Sequence, residues 1–201
     1  RLKFLEFLGT QDYSKTIAEY IRLGLLYQAD QDTPKALTQF DQALKIAQKI
    51  DDKDSEAHLT GLVGSALKDL GNLQDASRHL KKALRLSEDI GNDLLTLDAY
   101  IHLATVLVER GKHLEAISKL DNALILSVTI KDDLRMIKVS TLMGNIFLRL
   151  ESIEKALESF STALIASQRL GNQKAEVEAL INLGSTLMAD GGYIEALEQF
   201  E

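Results

Sequence analysis

The stretch EKALESFSTALIASQRLGN, residues 154–172, reads as an amphipathic helix running into a turn. The chain writes it four times. PKALTQFDQALKIAQKIDD (34–52), QDASRHLKKALRLSEDIGN (74–92) and LEAISKLDNALILSVTIKD (114–132) precede it, each 40 residues from the next. Self-similarity at a fixed period marks a stacked-repeat architecture. Several columns share the period. A small residue stands at Gly24, Gly64, Ala104, Gly144 and Gly184, and alanine at 36, 76, 116, 156 and 196. Bulky apolar residues follow at Phe40, Leu80, Leu120, Phe160 and Phe200, then alanine again at 43, 83, 123 and 163. Tyr27, Leu67, Leu107, Phe147 and Leu187 form another apolar column, and Ile50, Ile90, Ile130 and Leu170 close each unit.

Within a unit the spacing is helical. Leu103 and Leu107, then Ile117, Leu120 and Leu124, follow steps of three and four. Breaks fall at DQDTP (30–34), DLGNL (69–73), ERGKH (109–113) and LESIE (150–154). Asp32, Asn72 and Ser152 suit N-caps there, and Pro34 suits a first helical turn. The second breaks, DIGND, TIKDD and RLGNQ, carry Asn or Asp to cap the next helix. Each unit is therefore expected to be two helices of about 16–18 residues joined by short turns. A glycine inside a helix costs about 1 kcal/mol relative to alanine. Its return at one column, with Ala104 among its members, says that smallness is what the site requires, because a partner helix approaches there. One such helix pair cannot bury its apolar stripes alone, whereas a stack can.

Composition agrees. Apolar residues make up 45% of the 201 and charged residues 26%, with a single proline, enough apolar surface for a core and little punctuation for a sheet. There is no cysteine, hence no disulfide framework or thiolate metal site, which suits a reducing, cytoplasmic setting. The net charge of −7 argues against a protein built to grip nucleic acid. The longest apolar run, ALILSVTI (123–130), is far short of the ~20 residues of a membrane span, so no membrane role is expected. The chain opens at Arg1 without Met and stops in mid-pattern at EALEQFE, which reads as a piece of a larger protein.

The columns resemble the tetratricopeptide repeat: a small residue with an aromatic three positions on, then Ala-x3-Phe and Ala three after that. LGLLY (23–27) with ALTQFDQA (36–43) is the nearest copy, followed by MGNIF with ALESFSTA and LGSTL with ALEQF. The usual repeat has 34 residues and often a proline ending its second helix. Here Gln48, Glu88, Val128 and Gln168 occupy that stretch, so the second helix is expected to run on. Units of 40 residues are similar to those of kinesin light chain, Pins-type polarity adaptors, and bacterial MalT-like and Rap-type regulators. The resemblance implies an all-α fold, an α-solenoid of antiparallel helix pairs in a right-handed superhelix. It covers one array, 1–201, with units at about 13–52, 53–92, 93–132, 133–172 and an incomplete 173–201. Residues 1–10 are expected to finish a preceding unit, turning at Leu8-Gly9, and the ends, including a short last helix from Tyr193 to Glu201, to fray.

The resemblance also implies a concave wall of first helices in which a protein or peptide partner lies. By column that wall holds Ala18, Ile21, Leu25 and Gln28, then His58, Gly61, Ser65 and Lys68. It continues with Asp98, Ile101, Thr105 and Val108, then Lys138, Thr141, Asn145 and Arg149, and Glu178, Ile181, Ser185 and Met188. Its apolar members suit an amphipathic helix. The Lys and Asn clamp for a terminal carboxylate is incomplete, with only Lys138 and Asn145 at comparable columns. Self-association through the array ends is left open. A regulatory module that binds a signal peptide or restrains an attached effector domain is the alternative to a plain adaptor.

Other features read as structural. RHLKKALR (78–85) lines Arg78, Lys81, Lys82 and Arg85 along one helix face, and Glu151, Glu154 and Glu158 form an acidic strip; both read as solvated. The histidines at 58, 79, 102 and 113 lack metal-ligand spacing. Asp51, Asp52 and Asp54 lack the rest of a calcium loop and suit capping. The Gly-Asn turns lack the lysine of a phosphate cradle. No nucleophile, base and orienter fall together, so neither an enzyme nor a cofactor is expected. Tyr20 and Tyr100 read as packing residues.

Overall fold

The computed structural model describes the backbone over residues 2–192 and the side chains over 13–192. Among the described residues every regular element is an α-helix: α1 (Leu2–Ala29), α2 (Thr33–Lys49), α3 (Lys53–Asp69), α4 (Leu73–Asp89), α5 (Asp93–Glu109), α6 (His113–Thr129), α7 (Asp133–Arg149), α8 (Ile153–Leu170) and α9 (Gln173–Ala189). Odd-numbered helices are the first helices of their units and even-numbered ones the second. The chain forms two compact units, Arg1–Arg110 and Gly111–Glu201.

The expected lengths hold: α2 to α7 and α9 have 17 residues and α8 has 18. Gln48, Glu88, Val128 and Gln168 all lie inside their second helices, which run on without a proline to stop them. The turns follow one plan at half the repeat period. A left-handed residue sits at 31, 51, 71, 91, 111, 131, 151, 171 and 191. In seven of the eight turns to 172, the next residue donates its N–H to a carbonyl five back, as Asn72 does to Leu67 and Asn172 to Ser167, both at 2.9 Å. This is a Schellman closure. That next residue then caps the following helix. Asp32, Asp52, Asn72, Asn92, Asp132 and Asn172 each accept from the N–H three residues on. Ser152 departs from the expectation. It stands at the N-cap, but its hydroxyl donates to Leu150 O at 3.4 Å and makes no capping bond.

The turn expected at Leu8-Gly9 is also absent: α1 runs unbroken from Leu2 to Ala29. At 71, 91, 111 and 171 a glycine ends a helix, and Asn, or once Lys, follows as the next N-cap. The distance from Gly9 to Gly24 is two residues longer than from Gly171 to Gly184, so Gly9 falls outside the register of the observed turns. The expected last helix from Tyr193 lies outside the described residues.

Packing bears out the small-residue column. A Cβ built on Gly64 would stand 2.7 Å from Leu80 Cγ, and one on Gly144 2.5 Å from Phe160 Cε1. One on Gly24 would collide with the Phe40 ring. Phe40, Leu80 and Phe160 are fully buried, as are the alanines at 36, 76, 116 and 156. In the first unit Phe40, Ala43 and Ala47 of α2 meet Ile17 of α1 and Leu59, Val63 and Ala66 of α3, with Tyr20 and Tyr27 packed alongside. In the second, Ala156 and Phe160 of α8 meet Leu183 of α9.

Candidate partner-binding face

In the first unit α1 packs on α3 and α3 on α5, so three first helices stand side by side. They present the expected columns unevenly. Leu25 is 46% exposed. Ile21 leans on the core, and Gln28, Ser65, Lys68, Asp98, Thr105 and Val108 are half-buried. Ile101 is a correction. It is 1% exposed and belongs to the interior, so it offers no surface to a partner. A column fixes the direction a side chain leaves its helix, but not how deeply neighbours cover it. On α5 the equivalent of Gly61 carries an isoleucine that is covered completely.

Several of the wall's polar residues are engaged within the array. Gln28 Nε2 donates to Asp69 Oδ2 at 3.2 Å, joining α1 to α3. Lys68 Nζ lies 2.8 Å from Asp69 and 3.9 Å from Glu109, joining α3 to α5. Thr105 donates to His102 O at 2.7 Å. His58 keeps an edge in solvent. Burial of the rest of its ring holds its pKa below the ordinary imidazole value, and the Asp98 carboxylate on α5 opposes that shift.

In the second unit α7 packs beside α9. Lys138, Asn145 and Arg149 are exposed and Thr141 is half-buried on α7. Ile181, Ser185 and Met188 are exposed on α9. The structure thus places open apolar side chains next to amide, hydroxyl and charged groups on each unit's first-helix face.

Sequence reasoning missed one charged centre. Glu56, at the start of α3, is only 7% exposed. Its Oε1 accepts from Lys82 Nζ at 2.8 Å and Gln48 Nε2 at 3.2 Å, and its Oε2 from Lys53 Nζ at 3.2 Å. The Lys82 bond, helped by Gln48 and Lys53, outweighs burial and holds this carboxyl below the ordinary glutamate pKa. The signal was in the period: Gln168 donates to Glu176 at 3.0 Å, in the same two columns. Lys82 therefore ties α4 to α3, so the basic strip is not wholly solvated; Arg78 pairs with Asp75 at 2.8 Å. Tyr100 donates to Glu88 at 2.9 Å. Asp52 caps α3, and Asp54 accepts from Asn92 at 3.2 Å. Among the described residues no group of acidic and histidine side chains is arranged to hold a metal. No described helix is long and apolar enough to cross a membrane.

The tetratricopeptide repeat profile matches residues 16–89 and 56–124, together more than half of the chain. The chain belongs to the tetratricopeptide repeat family. A curated relative, the Tonsoku-like protein of Danio rerio, is 26% identical over 165 residues, which is 82% of this chain but 11% of that protein. Among solved structures, the chain is similar to a Rap protein complexed with Competence and Sporulation Factor, with a TM-score of 0.76 at 16% identity over 92% of this chain and 52% of that one. It is also similar to a putative kinesin light chain with nearly identical TPR-like repeats from Podosopora anserina, with a TM-score of 0.75 at 16% identity over 92% and 91%. These likenesses establish an all-α fold of helical repeats.

Proposed function

We propose that the chain is an interaction scaffold of the cytoplasm whose first-helix faces bind a segment of a partner protein, as a peptide or an amphipathic helix. The observation that carries this reading is the open apolar surface of Leu25 on α1 and of Ile181 and Met188 on α9, set among polar side chains that can hydrogen-bond a backbone. Asn145 on α7 is suited to the latter task. The test is capture of partners by the chain, repeated with Leu25→Glu and Ile181→Glu. Both substitutions place a charge on exposed positions. They should weaken capture about ten-fold or more while the melting temperature stays within about 2 °C. Unchanged capture by both variants would move the site off the first-helix faces. Ile101→Glu does not serve, because it buries a charge.

A second reading is a sensory or regulatory module that takes a signal peptide or restrains an attached effector domain. The Rap protein crystallised with its Competence and Sporulation Factor favours it. Titration of the full-length protein with synthetic peptides, reading an effector activity, separates it from a passive adaptor. Peptide binding that leaves every attached activity unchanged favours the scaffold.

A further inference from the structure

The second unit holds a cleft of 510 Å³ between second helices α6 and α8, floored by first helix α7. Ser140, Met143 and Phe147 make its floor, and Leu114, Ile117 and Leu124 its α6 wall. The repeat explains the opening. The columns of Ser159 and Thr162 hold His79 and Lys82 two periods earlier. There the His79 ring nitrogen lies 3.0 Å from Asp75 O, and Lys82 reaches across to Glu56. Ser159 and Thr162 are short and turn back on their own helix, donating to Lys155 O and Glu158 O. The space that longer side chains occupy in α4 is therefore vacant beside α8.

Two further features give the vacancy a chemistry. The Ser140 hydroxyl is buried without a hydrogen-bond partner, whereas Thr60, in the same column, donates to Glu56 O at 2.6 Å. A buried unmatched hydroxyl is costly, and an incoming polar tip would match it. The lips carry Asp121 on α6 and Glu158 on α8. Lys155 is the cation in the lining, and its ammonium sits 5.7 Å from the centre of the Phe147 ring. Glu151 and Glu154 extend the acidic side. Leu114 at the mouth is 77% exposed. Beyond it Ile125 and Ile165 stand exposed where the first unit has Lys45 and Arg85. An apolar trough with acidic lips that continues into open apolar surface fits an extended chain better than an enclosed small molecule.

We propose that this cleft is a second docking site, apart from the first-helix faces, for a basic peptide segment. The segment inserts an aromatic side chain with a hydroxyl tip over Met143 and Phe147 toward Ser140, and sets neighbouring Lys or Arg against Asp121 and Glu158. The test is fluorescence anisotropy of the 201-residue chain with a labelled dodecapeptide carrying Leu-Tyr-Leu between Lys-Arg pairs. The same peptide with Glu-Glu pairs is the comparison. The basic peptide should bind about ten-fold more tightly than the acidic one. Asp121→Lys and Thr162→Lys should each weaken it about ten-fold. Both write into the second unit a residue that α4 already carries in that column, Lys81 and Lys82, so the helices should fold. Leu25→Glu, in the other unit, should leave this binding unchanged. Equal binding of the two peptides, no binding up to about 1 mM, or indifference to both lysine substitutions would overturn the proposal. So would peptide-free self-association in sedimentation that Leu114→Lys abolishes, since that would give the cleft to a second copy of the chain.

Discussion

The glycines of α3 offer a pair of identical substitutions with opposite expected signs. Gly61 and Gly64 lie one turn apart inside the same helix, and both lose about 1 kcal/mol of helix propensity relative to alanine. A methyl on Gly61 would meet nothing nearer than Ala83 Cβ at 3.9 Å, an ordinary contact. Gly61→Ala should therefore recover up to about 1 kcal/mol. A methyl on Gly64 would stand 2.7 Å from Leu80 Cγ, 2.9 Å from Cδ2 and 3.3 Å from the Leu80 backbone nitrogen. Carbon atoms prefer separations of about 3.5–4.0 Å. Leu80 is completely buried, and part of the obstruction is backbone, so rotating its side chain does not clear the space. α3 and α4 must move apart, at an overpacking cost of about 1–3 kcal/mol. Subtracting the propensity gain leaves Gly64→Ala between neutral and about 2 kcal/mol destabilising. The two variants should differ by about 1–3 kcal/mol, or roughly 3–10 °C in melting temperature. Urea denaturation followed by circular dichroism measures it. A midpoint raised by Gly64→Ala as much as by Gly61→Ala would refute the claim that smallness at this column sets the approach of the helices.

Glu56→Gln should cost about 1–3 kcal/mol, since it leaves Lys82 without its carboxylate and removes one of the two that hold Lys53, which keeps Asp51 at 2.7 Å. The folded pKa of Glu56 is depressed, so its contribution is present above the unfolded value near 4.5 and is lost as pH falls through the folded one. Stability measured against pH should accordingly fall less steeply below about 4.5 in the variant, and parallel curves would contradict the pairing. Glu151→Gly should raise stability by about 1 kcal/mol, because Glu151 holds a left-handed φ of 55° that glycine adopts freely; calorimetry showing no gain would count against strain at that turn. Ala116→Leu should cost about 1–3 kcal/mol by overpacking a fully buried position of α6, and an unchanged denaturation midpoint would contradict its place in the core.

What could be read from the chain alone follows from what repetition reveals. Gly24, Gly64 and Gly144 recur against Phe40, Leu80 and Phe160, so the approach of helices was written in two columns at once. The Asn and Asp caps after the second helices were visible for the same reason. Features belonging to a single unit were hidden. Ile101 shares its column with Ile21, Gly61, Thr141 and Ile181, yet alone among the five is buried, because depth depends on neighbours that the column does not specify. Gly9 looked like a helix stop by analogy with Gly171, but it stands two residues out of the 20-residue register that every observed turn keeps. The cleft over Ser140 appears only when Ser159 and Thr162 are set against His79 and Lys82 in three dimensions, since two short polar residues on a helix surface signal nothing in one.

The central functional claim is that partners engage the first helices. Site-specific photocrosslinking tests it most directly, with benzoylphenylalanine at Leu25 and at Asn145, compared with Lys45 on the second helix α2. The account predicts partner adducts from position 25 or 145 and none from 45. Adducts from Lys45 alone, with both first-helix positions silent, would contradict it.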